Sequence, residues 1–157
     1  MNKQDILNLI IKQLEADIQV AQQAVDVARD TATHKDCLGS SKYETMGTEA
    51  SYLAKGQGER LLELQRAAAY FKQVIPTAQP TIALSSLITL EAESGQTQYF
   101  WLDNDAGGLK VQHEKNSITI ITPQAPLGRA LVGKEAGDVI EIKAANKTTE
   151  YEVVGVL

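Results

Sequence analysis

Cysteine is nearly missing from this sequence. The single Cys37 excludes an internal disulfide framework and points to a reducing, cytoplasmic compartment. Aromatic residues make up only 5% of the chain, and the apolar residues of its first half are mostly Ala, Leu, Ile and Val. That composition suits helix packing around a thin aliphatic core. No apolar run approaches the roughly 20 residues of a membrane span, and Met1-Asn2-Lys3-Gln4-Asp5 opens directly into an amphipathic pattern without the apolar core of a leader peptide.

A basic excess is missing as well. The net charge is −5, with 9 basic and 10 acidic side chains in residues 1–75 and 6 basic and 10 acidic in residues 76–157. Neither half offers the clustered Lys and Arg that phosphate contacts need, which argues against autonomous DNA or RNA binding. An acidic chain of this kind is better suited to a basic protein surface or a metal ion. Metal or thiol chemistry of the chain's own has little to draw on: His34 and Cys37 are three apart, and His113 is the one other histidine. Gly107-Gly108 lacks the strand–glycine loop–helix context of a nucleotide site and reads as a turn.

What is present is a helical repeat. Leu7, Ile10 or Ile11, Leu14, Ile18, Ala21, Val25, Ala28 and Ala32 recur three and four apart, the spacing of one apolar helix face. No Pro or Gly interrupts this stretch, so the first helix can extend for about 45 Å. A second seam, Ala50, Leu53, Gln57, Leu61, Leu64, Ala68, Phe71 and Ile75, stops at Pro76. Long amphipathic helices gain most of their stability from a packing partner, so the two are expected to form an antiparallel hairpin over residues 1–75. The segment between them, with Gly39, Ser40 and Ser41, lacks the seam and marks a tip at about 34–46. Gly47, Gly56 and Gly58 predict a soft or kinked start to the second helix.

Residues 76–80, Pro76-Thr77-Ala78-Gln79-Pro80, read as a linker, and beyond them the periodicity becomes that of strands. Strands are expected at Thr81–Leu84, Leu87–Glu91, Gln98–Leu102 and Ser117–Ile121, with turns at Ser94-Gly95 and Asn104–Gly108. Trp101 and Phe100 fall on opposite faces of their strand, one as core and one as a partly exposed position. A short helix is expected at Pro126–Val132 and a closing hairpin from Asp138–Ile142 and Tyr151–Val156. The fold class is therefore α+β: a long helical hairpin, then a compact antiparallel sheet with one short helix over residues 81–157.

The stretch from Thr122 to Val139 has a legible local logic. Pro126 starts the helix, Leu127, Leu131 and Val132 pin it to the sheet, Gly133 ends it, and Gly137-Asp138 turns into the next strand. Pro126-Leu127, Arg129-Ala130-Leu131-Val132-Gly133-Lys134 and Gly137-Asp138 closely resemble the C-terminal signature of the GreA/GreB family of transcript-cleavage factors. The order of hairpin, linker and sheet extends that resemblance over nearly the whole chain. The Rnk regulators share the C-terminal motif but have a much shorter hairpin.

The resemblance implies an FKBP-like C-terminal domain, with Gln124, Ala125, Pro126, Leu127 and Arg129 as the segment docking on RNA polymerase, at the coiled coil on the rim of its secondary channel. It implies a hairpin that enters the channel as a monomer in the bacterial cytosol. It further implies a factor that is not itself an enzyme, has no cofactor of its own, and acts through the Mg²⁺ of the polymerase active site. Tip residues Asp36, Ser40, Ser41, Lys42, Tyr43 and Glu44 would face that site, with Asp36 and Glu44 the candidate Mg²⁺ ligands. Cleaving members carry an Asp-Leu-Lys-Glu-Asn-Ala-Glu-Tyr stretch, in which the Asp and the first Glu direct a metal ion. Matching its tyrosine to Tyr43 places Asp36 at the Asp but Gly39 at the Glu, or Ser40 with a one-residue gap. Lys42 falls at the second Glu, and Glu49 reads as a helix-start acid favoured by the dipole. At the docking segment, Gln124-Ala125 replaces the family's acidic or polar residue and Ser.

Without the metal pair, a tip that reaches the active site would obstruct it, and inhibition or modulation of transcription is the expectation. The alternative within the family is genuine transcript cleavage and anti-arrest activity through Asp36 and Glu44. Outside it stand a prolyl isomerase, disfavoured by the few aromatic residues available to line a proline pocket, and a coiled-coil adaptor without a polymerase role.

Overall fold

The computed structural model describes residues 1–33 and 41–157, without the side chains of 32, 33, 41–48 and 50. The chain divides into two compact units, one comprising Ile11–Lys72 and the other Met1–Ile10 together with Gln73–Leu157. Two helices of 31 residues dominate the first half, α1 (Lys3–Thr33) and α2 (Ser41–Phe71). No helix among the described residues is long and apolar enough to cross a membrane.

Within the Ile11–Lys72 unit the buried residues follow the expected seam. Leu14, Ala21, Val25 and Ala28 are buried on α1, and Leu61, Leu64, Ala67, Ala68 and Phe71 on α2. The helices run antiparallel. Lys72 Nζ pairs with Glu15 Oε1 at 2.7 Å, Ala21 shares a groove with Leu64, and Ala28 shares another with Leu53. Gly56 and Gly58 leave α2 unbroken, since the helix runs through both.

The seam is thinner than its spacing predicts in two places. Leu53 is 57% exposed, as are neighbouring Val20, Val27 and Tyr52 to a similar degree. Facing positions on α1 here include Ala24 and Ala28, too small to cover a leucine. At the other end α2 stops at Phe71 rather than Ile75, and Ile75 is 78% exposed. After Phe71 the chain turns through polar Lys72 and Gln73, so no further apolar face rewards another helical turn.

The second unit is built on a six-stranded sheet in the order β3-β4-β2-β1-β6-β5. Its strands are β1 (Ser86–Ala92), β2 (Thr97–Leu102), β3 (Lys110–His113), β4 (Asn116–Ile121), β5 (Val139–Ala144) and β6 (Lys147–Val156), with α3 (Pro126–Leu131) inserted before β5. Every neighbouring pair is antiparallel except β2–β4, which is parallel and sets Phe100 opposite Thr119. The architecture is α+β, as the periodicity indicated.

Thr81–Leu84 is not a strand. It makes one bridge, Thr81 with Glu135, while Ile82 N–H donates to Lys134 O at 2.7 Å and Ile82 O accepts from Gly133 N–H at 2.8 Å. A turn intervenes before β1: Ser85 has φ 65, and Ala83 N–H donates to Ser86 Oγ at 3.0 Å. Such local side-chain bonding competes with strand pairing.

The sheet buries residues on both faces. On one, Ile88, Leu90, Leu102, Ile140 and Val153 pack with Ile82 and with Leu131 of α3. On the other, Leu87, Trp101, Ile118, Ile120 and Val111 are buried, neighbours by strand register. Phe100, opposite in orientation to fully buried Trp101, is half-buried against the α3 side. Trp101 Nε1–H donates to Asp103 Oδ2 at 3.2 Å. The buried Asp103 carboxylate also accepts from Ser85 Oγ and from Asn104 N–H, each at 3.0 Å. Above the Trp101 ring, 5.8 Å from its centre, sits the Lys3 ammonium, which donates to Thr77 O at 2.6 Å. Burial pushes the Lys3 pKa below the usual lysine value.

Candidate functional site

The segment after β4 is folded by its own backbone. Ala125 N–H donates to Thr122 O at 3.0 Å, and Ala125 O accepts Arg129 N–H at 2.9 Å. Ala125 sits at the N-cap of α3 in extended geometry, with Pro126 at the first helical position. Proline suits that place because its missing N–H would be unsatisfied there anyway. Alanine has no oxygen to cap the first turn, and no side-chain cap is made, so the helix lacks a contribution of roughly 1 kcal/mol that Ser or Asp would supply.

Gly128 is the residue that fixes how closely this helix lies to the preceding loop. A Cβ built there would collide with the Thr122 carbonyl oxygen and stand 2.8 Å from the carbonyl carbon. Both are backbone atoms that cannot rotate away. Close approach of the helix to Thr122 is the reason glycine stands here.

The five residues expected to dock are brought together on this one segment. Gln124, Pro126 and Arg129 are exposed, whereas Ala125 and Leu127 are half-buried. Leu127 packs against the α3-side core. Arg129 folds back so that Nε–H donates to Gln124 O at 3.0 Å, which holds the guanidinium beside Gln124 and Pro126. Leu131 is fully buried, but Val132, expected to help pin the helix, is 49% exposed. The helix ends at Leu131, and the chain swings out through Gly133 at φ 78, taking Val132 off the apolar face. The turn into β5 is then held by Asp138, whose Oδ2 accepts Glu135 N–H at 2.9 Å, with Gly137 at φ 95.

Of the tip residues, Asp36 and Ser40 lie outside the described residues, as do His34 and Cys37. Ser41, Lys42, Tyr43 and Glu44 form the first turn of α2, so they belong to the helix rather than to a turn; their side chains lie outside the described set. Glu49 is exposed on α2. Among the described residues no group of three His, Cys, Asp or Glu side chains is arranged to hold a metal ion. Asp36 and the Glu44 side chain lie outside that set.

Comparison with known proteins matches the same C-terminal region. Residues 109–157 match the family described as transcription elongation factor, GreA/GreB, C-term. Transcription elongation factor GreA of Thermodesulfovibrio yellowstonii is 27% identical over 151 residues, covering 92% of this chain and 88% of the relative. That of Bradyrhizobium sp. is 27% identical over 141 residues, covering 86% of this chain and 85% of the relative. Among solved structures, the GreA factor homolog 1 (Gfh1) protein of Thermus thermophilus superposes with a TM-score of 0.40 at 20% identity, covering 96% of this chain and 94% of that one. The C-terminal match and the sequence similarity along most of the chain agree: the chain is similar to the transcription elongation factors of the GreA/GreB family, most specifically over residues 109–157.

Proposed function

We propose that this factor binds RNA polymerase, seats its C-terminal sheet domain on the coiled coil at the rim of the secondary channel, and directs the α1–α2 tip at the active site, where it obstructs transcription rather than promoting transcript cleavage. The observation that carries this reading is the tip sequence. Asp36 stands where cleaving relatives place the first metal-directed carboxylate, but Gly39 or Ser40 stands where they place the second. One carboxylate holds a divalent cation weakly against the several oxygen ligands Mg²⁺ requires, so the polymerase would keep its Mg²⁺ chemistry without an added metal-binding pair.

Reach supports the same reading. Helices of 31 residues span about 45 Å at 1.5 Å per residue, the scale of a channel from its rim to a buried catalytic centre. Docking falls to Gln124, Pro126 and Arg129, the exposed members of the α3 segment, with Leu127 anchoring the segment from beneath. The factor would act as a monomer in the cytosol and catalyse nothing alone.

The test pairs a halted elongation complex with an initiation assay, using one preparation of the protein. Unshortened RNA in the halted complex together with reduced abortive product at initiation is the expected result. Rapid Mg²⁺-dependent shortening of the RNA, abolished by Asp36→Ala, would assign the cleavage activity instead. Absence of any binding to core polymerase would refute both.

A further inference from the structure

The sheet leaves part of its α3-side face bare. Helix α3 packs over β1, β6 and β5 through Leu131, which meets Ile88, Leu90, Ile140 and Val153. Across the other half, Phe100 on β2 stands opposite Thr119 on β4, and Thr119 stands opposite Lys110 on β3. These three form one row over three strands, with Gln98 and Ser117 one step along on the same face. Together with Lys115 they line an open groove of about 470 Å³.

Its chemistry differs from that of the rest of the chain. No carboxylate lines it, although the protein carries a net charge of −5. Lys110 and Lys115 are exposed, and among the described residues neither has an ion-pair partner. The opposite face at the far end of the sheet is the electrostatic reverse. Glu91 lies directly across from Glu152 and Glu141 directly across from Glu150, all four exposed. Like charges directly opposite each other destabilise a sheet. One rigid sheet therefore presents a cationic groove on one face and an anionic patch on the other.

We propose that the groove over β2, β4 and β3 is a docking surface for an acidic segment of a protein partner, with Lys110 and Lys115 meeting its carboxylates and Gln98, Ser117 and Thr119 bonding its backbone or polar side chains. Resting on the polymerase reading above, the inference is that the polymerase surface contacting this domain is acidic there. A partner touching Gln124, Pro126 and Arg129 approaches from the side on which the groove opens. The anionic patch repels the same partner, so the charge asymmetry orients the encounter. A nucleic acid fits less well. Duplex DNA carries a charge about every 1.7 Å of helix axis, and a strand extending beyond two ammonium groups meets Glu114 and Glu93 in the flanking turns.

The test measures binding of the full chain to core RNA polymerase at two salt concentrations, for the natural protein, Lys110→Glu/Lys115→Glu, Lys110→Gln/Lys115→Gln, and a control Lys143→Glu on β5. The double Glu variant should bind about tenfold more weakly, with a shallower salt dependence. The Gln variant should lie between, and the control should bind as the natural chain does. Unfolding midpoints equal to that of the natural chain establish that each variant is folded, and the Gln variant keeps the test open if charge reversal disturbs the fold. Equal binding by the natural chain and both double variants overturns the inference while leaving the polymerase reading intact. No binding by the natural chain overturns both. Binding of an RNA oligonucleotide that is lost in Lys110→Glu/Lys115→Glu would overturn the assignment to a protein segment.

Discussion

Alanine at position 128 should destabilise the sheet unit although it sits in a helix, where alanine is ordinarily the better residue. The added Cβ collides with the Thr122 carbonyl oxygen and lies 2.8 Å from its carbon and 3.1 Å from Pro123 Cα. Ordinary carbon contacts lie near 3.5–4.0 Å, so α3 must lift by about 1 Å. Lifting it strains the Thr122–Ala125 hydrogen bond and loosens Leu131, which is fully buried. Overpacking costs about 1–3 kcal/mol. Partial loss of Leu131 packing adds to this, since full truncation of such a residue costs about 2–5 kcal/mol. The helix-propensity gain of about 1 kcal/mol opposes them, leaving a net loss of about 2–4 kcal/mol. Gly56→Ala is the internal control: nothing lies within 4 Å of its Cβ position, so it should stabilise α2 by about 0.5–1 kcal/mol. Urea unfolding followed by the single, buried Trp101 reports the sheet unit, and far-ultraviolet circular dichroism reports the helices. A Gly128→Ala midpoint equal to or above that of the natural chain would refute the reasoning, whatever Gly56→Ala does.

Three further substitutions probe other parts of the account. Asp103→Ala removes the acceptor of Trp101 Nε1–H, Ser85 Oγ–H and Asn104 N–H and should cost about 2–4 kcal/mol, read as a lowered midpoint in the Trp101 signal. Burial depresses the Lys3 pKa, so between that value and about 10.4 the unfolded chain binds more protons than the folded one, and stability rises with pH across this window. Lys3→Met should remove that rise in unfolding free energy; an unchanged slope would show that Lys3 is not its source. Restoring a carboxylate at the tip, by Gly39→Glu or Ser40→Glu, should confer Mg²⁺-dependent shortening of RNA in halted complexes, and failure of both variants would show that more than one missing glutamate separates this tip from a cleaving one.

The helices were the most legible part of the fold because their seams recur over many turns, and a three-four spacing sustained from Leu7 to Ala28 has few other solutions. The limits of the pattern lie where burial depends on the neighbour rather than the spacing. Leu53 and Ile75 continue the period yet face solvent, because Ala24 and Ala28 are too small to cover one and α2 has already ended before the other. Ile6 is fully buried without belonging to the three-four seam that starts at Leu7. In the sheet, alternation located β1, β2, β4 and β6, while β3 carries one buried residue, Val111, in four and gives periodicity nothing to detect. Thr81–Leu84 shows the converse error, since its β-favouring residues are overruled by the Ser85–Ser86 turn. The α3 segment was legible from Pro126, Gly133 and Gly137, residues whose backbone demands are local. The role of Gly128 and the cationic groove depend on residues far apart in sequence or on neighbouring strands, and no local pattern announces either.

The measurement that bears most directly on the central claim is the length of the nascent RNA in halted elongation complexes after addition of this factor and Mg²⁺, beside the yield of abortive product at initiation. The account predicts transcripts of unchanged length together with a reduced abortive yield. Transcripts shortened rapidly in the presence of the natural chain, but not of Asp36→Ala, would contradict it.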